Sequence, residues 1–456
     1  MGFFTKHSDK LRLIFILLTA LICMHLFVVT QPFGDGPDEI NRYKVVQYIQ
    51  DHGTLPHGDN PEIIIDGYGA SYAFQPILTY IIEGFVLRLL NPLSLSFDMQ
   101  LIIARYINVL FGLIAAFYTY KVAQLLFDNN KLSSFLFTFA VVLLPQNIFI
   151  YTYVNTDGLA LLSITLMVYA ILRGYKQDFD INSQIALIAG ISLCLLSYYN
   201  CYGYIMMSFF AFIAYFITTK NYKEMWKKGG LIALSVVVLA GWWFIRNAIL
   251  YHGDIFALTA RRVCAAETGN WYFLEQMAET YKAQGISVYE MIFHTDYYTL
   301  VWKSFIAMFG PMAIPTHHYV YMAFKYLVII CIIGLLIPNK SQTLGSSSKS
   351  IKIILWAYMV INMIIPAILA VVYSYSYDFQ PQGRYYLPCL LPLTCILCSG
   401  MNKLIDLIIS LLSKIIQKEK TLALAKAFIN HIIYMFFFMS LIISVILMLK
   451  YYASIL

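Results

Sequence analysis

Charged residues are scarce in this chain, at 12% of 456 residues against 60% hydrophobic, with a mean hydropathy of +0.70. A soluble domain carries roughly 25% charged residues. The sequence therefore has too few to clothe a water-facing surface, which excludes a soluble enzyme, a disordered protein and a fibrous repeat. There is no P-loop, no GxGxxG and no HExxH, so nucleotide hydrolysis and zinc proteolysis lack a site. The eight cysteines lie mostly inside apolar runs, as Cys23, Cys194, Cys331 and Cys398 do; the single CxxC, Cys395 to Cys398, falls within such a run, with no second pair and no His–Cys spacing to complete a zinc site. That argues against a disulfide framework and against a structural metal. No repeat of fixed period is present, which excludes solenoids and gives no support to the repeat architecture of many transporters.

What the chain has instead is a series of long apolar runs. Their length fits membrane-spanning helices rather than barrel strands, so the expected fold is an all-α polytopic membrane protein in a single domain over 1–456. The net charge of +7 does not indicate nucleic acid, because the basic residues fall in short tracts between apolar runs: Lys6, Lys10 and Arg12; Arg173 and Lys176; Lys220, Lys223, Lys227 and Lys228; Lys340, Lys349 and Lys352; Lys414, Lys418 and Lys420. That is the pattern of cytoplasmic loops. The run from Leu13 to Thr30 is too long for a signal-peptide core and reads as an uncleaved helix with its amino end inside. Pro76 to Leu90 is short and carries Glu83 and Arg88. Counting it as a span would invert every later loop, so it reads as an amphipathic helix at the outer interface.

The remaining runs predict spans near Tyr106 to Phe127, Phe135 to Ile150, Leu159 to Arg173, Ile185 to Tyr198, Tyr204 to Thr218, Leu231 to Phe244, Tyr319 to Leu336, Ile353 to Val372, Tyr386 to Met401 and Ile429 to Leu449. With the first helix that makes about eleven. Two large outer loops, 31–105 and 246–318, then hold most of the polar residues. The first begins with a polar stretch of roughly forty residues, about Gln31 to Ala73, well beyond the usual connection length, which points to a functional loop.

The most informative stretch opens that loop: Gly34-Asp35-Gly36-Pro37-Asp38-Glu39-Ile40-Asn41-Arg42-Tyr43. Asp38 and Glu39 stand at the start of a short helix over Glu39 to Gln50, where a carboxylate serves as a cap. At a membrane boundary the same acids can instead act as a general base or metal ligand, with a pKa tuned by desolvation and neighbouring charge. Three acids and an arginine so close together favour function. Asp157, in Val154-Asn155-Thr156-Asp157-Gly158, emerges between two runs on the same outer face. Outward arginines run against the positive-inside bias. Arg246 follows Trp242-Trp243-Phe244-Ile245, Arg384 lies in Gln382-Gly383-Arg384-Tyr385-Tyr386, and Arg261 and Arg262 stand in the second loop. A phosphate at the headgroup level would account for them, because the guanidinium fork matches its oxygens.

These pieces, in this order, resemble the GT-C superfamily of integral-membrane glycosyltransferases, which take sugar from polyprenyl-phosphate or polyprenyl-diphosphate carriers. The resemblance rests on Pro37-Asp38-Glu39, Asn155-Thr156-Asp157, Trp243-Phe244-Ile245-Arg246-Asn247 with Tyr251-His252-Gly253-Asp254, Ser304-Phe305-Ile306-Ala307-Met308-Phe309-Gly310, and Gln382-Gly383-Arg384-Tyr385-Tyr386-Leu387-Pro388. It is most similar to the branch of protein O-mannosyltransferases and lipid A aminoarabinose transferases. The resemblance implies juxtamembrane helices in the first outer loop and a catalytic base within Asp38-Glu39, Asp38 first. It implies that Asp157 orients the acceptor or supports the base, and that Arg384 holds the lipid phosphate. Asp35, Arg42, Arg246, Arg261, Arg262 and Tyr385 complete the expected substrate-binding set.

The partners it implies are a polyprenyl-phosphate-linked sugar donor, a glycan, lipid or protein acceptor, and membrane lipids, with no nucleic acid. The implied location is a bacterial cytoplasmic membrane with the site on its outer face. Oligosaccharyltransferase-like members use a divalent metal and the closer branch generally does not, so no metal or further cofactor is assigned. The large outer domain of some members does not follow the last run, which favours a glycan or lipid-linked acceptor over a folded protein. Two other readings use the same residues. A transporter of lipid-linked sugar would place ionisable groups mid-membrane, and a glycan polymerase would take a lipid-diphosphate oligosaccharide.

Overall fold

The structure, a computed structural model, describes residues 2–269, 279–338, 343–345 and 347–455. It is almost entirely helical; among the described residues the only strands are the two-residue pair Met308–Phe309 and Ile314–Pro315. Nine of the described helices are long and apolar enough to cross a membrane: Lys10–Thr30, Phe97–Leu126, Asp157–Lys176, Tyr199–Thr219, Tyr222–Leu250, His318–Leu335, Lys349–Ser376, Gly383–Leu412 and Glu419–Ser454. The chain is a multi-pass membrane protein.

Two of the eleven expected spans fall short of that length. Lys131–Val142 has 12 residues and Ile181–Leu195 has 15, about 18 and 22 Å of helix against a hydrocarbon core of roughly 30 Å. The run read as one span from Phe135 to Ile150 breaks because Pro145 disfavours helical geometry in the residue before it. Leu144 is extended (φ −62°, ψ 122°), and a short helix, Pro145–Phe149, restarts beyond it. Every side chain from 141 to 156 is buried, so this apolar run fills the protein's own interior. Hydropathy alone does not separate those two environments.

Elsewhere close packing depends on small residues. The helices His318–Leu335 and Leu390–Leu412 cross where a Cβ on Gly400 would lie 2.0 Å from the Cys331 carbonyl oxygen. Only a residue without a side chain permits that approach.

The segment after the first helix folds into Glu39–His52 and Leu78–Leu90, which pack on one another and on Phe97–Leu126. The first ends at Gly53, whose left-handed φ of 68° brings its N–H to the Ile49 carbonyl. Arg88 then donates to the carbonyls of Gln50 and Asp51 at 2.9 Å each. The two charged residues that kept Pro76 to Leu90 out of the spans are thus both turned to protein. Glu83 is fully buried and accepts from Asn108 Nδ2 at 2.9 Å, and burial, reinforced by the charge of Glu39, pushes its pKa well up. The next helix starts at Phe97, capped by Ser96, nine residues before the expected span at Tyr106. Arg105, expected in the loop, is therefore inside a helix and buried. In the second long segment the described residues include the helices Leu258–Thr268, Val288–Phe293 and Tyr297–Ile306.

Candidate functional site

Asp38 and Glu39 are neighbours in sequence but face opposite ways. Asp38 occupies the position before the Glu39–His52 helix with φ 61°, ψ 11°, a left-handed conformation that aspartate tolerates better than most residues, and its side chain makes no capping hydrogen bond. Its carboxylate instead meets two guanidiniums: Arg384 Nη2 lies 3.2 Å from Oδ2 and Arg42 Nη2 lies 3.5 Å from the same oxygen. The Asp38 side chain is 40% exposed while those of Arg384 and Arg42 are 5% and 8% exposed. The acid is thus reachable and the cations are held behind it. Burial works to raise the Asp38 pKa, but Arg42 and Arg384, with hydrogen bonds from Arg384 and Tyr72, outweigh it and hold the carboxyl below the ordinary value.

Glu39 is fully buried in a different set of bonds. Arg105 approaches it with Nε on Oε1 at 2.8 Å and Nη2 on Oε2 at 2.6 Å, and the backbone N–H groups of Gly34 and Val154 donate to the two oxygens. Arg105 also donates to the carbonyls of Val28, Gln31 and Pro32. This ion pair ties together the end of the first helix, the turn carrying Asp38, the Phe97–Leu126 helix and the irregular turn over 150–156. Glu39 is not on the wall of the cavity that Asp38 faces.

That cavity measures about 410 Å³ and is lined by Asp38, Arg42, Tyr72, Arg261, Arg384 and Tyr385, among others. Its volume falls in the range of small-molecule sites, roughly 300–1,000 Å³. Arg42 is bonded on its other side to Asp157, Nη1 to Oδ2 at 3.3 Å, and lies over the Tyr72 ring. Asp157 opens the helix Asp157–Lys176, where the N-terminal dipole favours its charge. A chain of alternating charge therefore runs Asp157, Arg42, Asp38, Arg384. It continues from Arg384 Nη2 to the Tyr385 hydroxyl at 3.1 Å, from that hydroxyl to Gln380 Oε1, and from Gln380 Nε2 to Asp378. The remaining expected residues lie elsewhere. Arg246 donates to the Pro56 carbonyl and stacks on Trp243, Arg262 is exposed, and Asp35 lies beside Tyr452.

The family profile described as "Predicted membrane protein (DUF2142)" matches residues 70–393. The chain belongs to this family. The match includes Asp157, Asp378 and Arg384 and begins after Asp38 and Arg42. No curated protein matches the chain. Among solved structures it is similar to ArnT from Cupriavidus metallidurans bound to undecaprenyl phosphate, with a TM-score of 0.51 and 13% identity over 85% of this chain. It is also similar to the oligosaccharyltransferase AglB from Archaeoglobus fulgidus in complex with an inhibitory peptide and a dolichol-phosphate (TM-score 0.56, 12% identity, 97% of this chain). The apo form of the A. fulgidus oligosaccharyltransferase gives a TM-score of 0.55 at 14% identity. The matches span 60% of ArnT and 56% of either oligosaccharyltransferase chain. At these identities the likeness is one of fold.

Several wall residues carried no signal in isolation. Tyr72 and Asp66 come from the polar part of the first loop, and Tyr198 and Asn200 from the turn between two apolar helices. Asp378 stands six residues before Arg384 in the same inter-helix turn, a proximity that marks it out once Arg384 is suspected; burial, and the nearby charge of Asp38, push its pKa up despite a hydrogen bond from Gln380. Gly383 sets the arginine's position. Its N–H donates to Ser304 Oγ at 2.6 Å, and a Cβ there would fall 2.0 Å from the Phe305 backbone nitrogen. Gly383→Ala is expected to cost about 1–3 kcal/mol through this clash with backbone, read as a lower denaturation midpoint in detergent. An unchanged midpoint would show that the two segments separate freely.

Proposed function

We propose that this chain is a membrane glycosyltransferase that moves a sugar from a polyprenyl-phosphate carrier to an acceptor hydroxyl on the outer face of a bacterial cytoplasmic membrane. The observation that carries the reading is Asp38 on a cavity wall between two buried arginines, uncommitted to capping its helix. The shared fold supports it, since ArnT and AglB were each solved with a polyprenyl-type phosphate. The helices Glu39–His52 and Leu78–Leu90 lie, in this reading, along the outer membrane surface above the spans.

The acceptor oxygen attacks the anomeric carbon, forming the new C–O bond as the bond to the carrier phosphate breaks. The hydroxyl proton passes to the Asp38 carboxylate, and the departing phosphate keeps the bonding electron pair, its charge met by Arg384 and Arg42. Asp157 holds Arg42 in place. Glu39, taken with Asp38 as a catalytic acid on sequence grounds, is assigned with Arg105 to fixing the turn that presents the base. Arg261 and Tyr385 contribute to the wall, whereas Arg246, Arg262 and Asp35 have no part in it. A divalent cation does not fit between Asp38 and Asp157, because the Arg42 guanidinium already joins them, and no step is routed through one.

The arginines that lower the Asp38 pKa are those that meet the phosphate. Donor binding draws their charge away from Asp38 and raises its pKa toward the ordinary value of ~3.9. In the free protein the base form persists below that value and is lost only as pH falls through the depressed pKa. The acidic limb of kcat, which reports the substrate complex, is therefore expected at higher pH than that of kcat/KM. Coincident limbs would remove this coupling.

The function itself is tested with purified protein in lipid, radiolabelled polyprenyl-phosphate sugars and an extract of envelope glycans. Label moving to an acceptor supports the transferase. Label crossing the bilayer unchanged would replace it with a transporter, and growth of long chains with a polymerase.

A further inference from the structure

A second cavity, of about 80 Å³, shares no wall residue with the polar one. It lies between the helices His318–Leu335 and Leu390–Leu412, on the His318 and Leu390 side of the point where Gly400 meets the Cys331 carbonyl. Lys131–Val142 and Glu419–Ile455 close it behind, through Ala140 and Phe437 among others. Trp302 and Phe305 of Tyr297–Ile306 cover it on the side of the Gly383–Cys389 turn. Among the described residues that line it none is charged; the walls are aliphatic, aromatic and thiol, with one hydroxyl, Thr394, and one indole N–H, Trp302.

Leu327, Val328, Leu397 and Ile433 are half-buried, so the space is open along one flank. All four belong to helices long and apolar enough to cross a membrane, and the flank therefore gives onto hydrocarbon. The wall positions on His318–Leu335, Phe324 to Cys331, stand six to thirteen residues into that helix. That is about 9–20 Å along its axis, the depth at which a hydrocarbon core of roughly 30 Å has its middle. Acyl chains end at that depth.

We infer that this cavity binds the end of a linear acyl chain from a phospholipid of the surrounding bilayer. The inference goes beyond the transferase reading and does not depend on it. Left empty, the space would forfeit dispersion contacts for every side chain around it, and walls with so few polar atoms do not hold water. The polyprenyl carrier fits worse on two counts. Its chain has a methyl branch and a rigid double bond in each isoprene unit, and the space is well below the ~150 Å³ of an apolar cavity that takes benzene. Gly383 also lies against Ser304 and Phe305 with no room for a Cβ, so a carrier whose phosphate meets Arg384 cannot cross that contact to the apolar side. A chain end seated here packs against Trp302 and Phe305, on the helix whose Ser304 accepts from the Gly383 N–H. It thereby supports the turn that carries Arg384.

The test uses the full chain in nanodiscs of phosphatidylglycerol and phosphatidylethanolamine, doped with a phosphatidylglycerol that carries a diazirine near the methyl end of one acyl chain. Labelled residues are mapped by mass spectrometry after irradiation. Ala140→Phe and Leu397→Phe fill the space from two different helices, so one serves if the other fails to fold, and neither residue lines the polar cavity. The expected result is label at Phe324, Leu327 or Met401 that is lost in the filled variant, with label at the exposed Ile329 and Met435 unchanged. Absence of label at the wall, or wall label that persists in the filled variants, would reduce the cavity to a packing void. Wall label removed by excess undecaprenyl phosphate would assign the space to the carrier and overturn the phospholipid as occupant. The support of the Arg384 turn has its own readout. In detergent, added phosphatidylglycerol should slow amide hydrogen exchange over Tyr297–Ile306 in the wild type, and leave it unchanged in the filled variant. Equal slowing in both, or none in either, would remove that support.

Discussion

Asp38→Asn is expected to reduce sugar transfer by about 10²–10⁴-fold, the usual worth of a positioned general base, while undecaprenyl phosphate still binds. Asparagine is the informative replacement for two reasons. It is among the few residues that accept a positive φ readily, so the turn at φ 61° keeps its shape. Its carbonyl oxygen can also still accept from Arg384, which preserves the 3.2 Å contact in kind. What is lost is the negative charge and the ability to take a proton. Removing that charge leaves Arg384 and Arg42 less neutralised, so affinity for the lipid phosphate should hold or rise, and the defect should lie in kcat rather than in the donor KM. Transfer at wild-type rate would sink the assignment of the base, and Asp378, the other carboxylate joined to Arg384 through the Tyr385 and Gln380 bonds, would be the next residue to substitute.

Arg105→Met should cost about 3–5 kcal/mol of stability, the penalty for leaving a buried charge without its partner. The pair it breaks is 2% exposed on the arginine and 0% on Glu39, so solvent does little to screen it. The arginine's three carbonyl partners would also lose their donor. Adding Glu39→Gln should restore most of the loss, because the remaining side chain is neutral and one of its oxygen acceptors survives for Gly34 or Val154. Denaturant titration of the purified protein in detergent, on both single variants and the double, gives the coupling. A single-variant loss below about 1 kcal/mol, the scale of an exposed pair, would mean that this ion pair does not hold the turn. In that case Asp38 must be positioned by Arg42 and Arg384 themselves.

Parts of this site were legible in the linear sequence and parts were not. Asp38, Arg42, Asp157, Arg261, Arg384 and Tyr385 stood out because polar residues are rare in such a chain and these interrupt or border apolar runs. Arg246, Arg262 and Asp35 stood out by the same signal but lie off the cavity wall. The signal reports that a residue is near a helix end, and every helix end in a polytopic protein has that property. Asn200, Gln75 and Asn41 were missed because an amide in or beside a short helix is ordinary; what distinguishes them is a hydrogen-bonding valence left unspent beside a cavity. The count of spans rests on a signal of the same kind, and two of the eleven expected spans are shorter apolar helices. Lys131–Val142 is as apolar as a membrane helix, yet it packs inside the molecule, and Pro145 ends it early.

Composition and the order of apolar and basic segments by themselves determined that this is a helical multi-pass membrane protein, because a chain so poor in charge is stable only where lipid replaces water and each helix satisfies its own backbone. They also determined which stretches could carry chemistry. Only the tertiary structure decided which of two adjacent carboxylates faces the cavity. Asp38 and Glu39 differ by one position along the chain, and their directions are set by the left-handed turn at Asp38 and by a buried arginine 66 residues away from Glu39. The contact between Asp38 and Arg384 spans 346 residues. No local pattern encodes it, since it exists only after the intervening helices have packed and Gly383 has settled against Ser304 and Phe305.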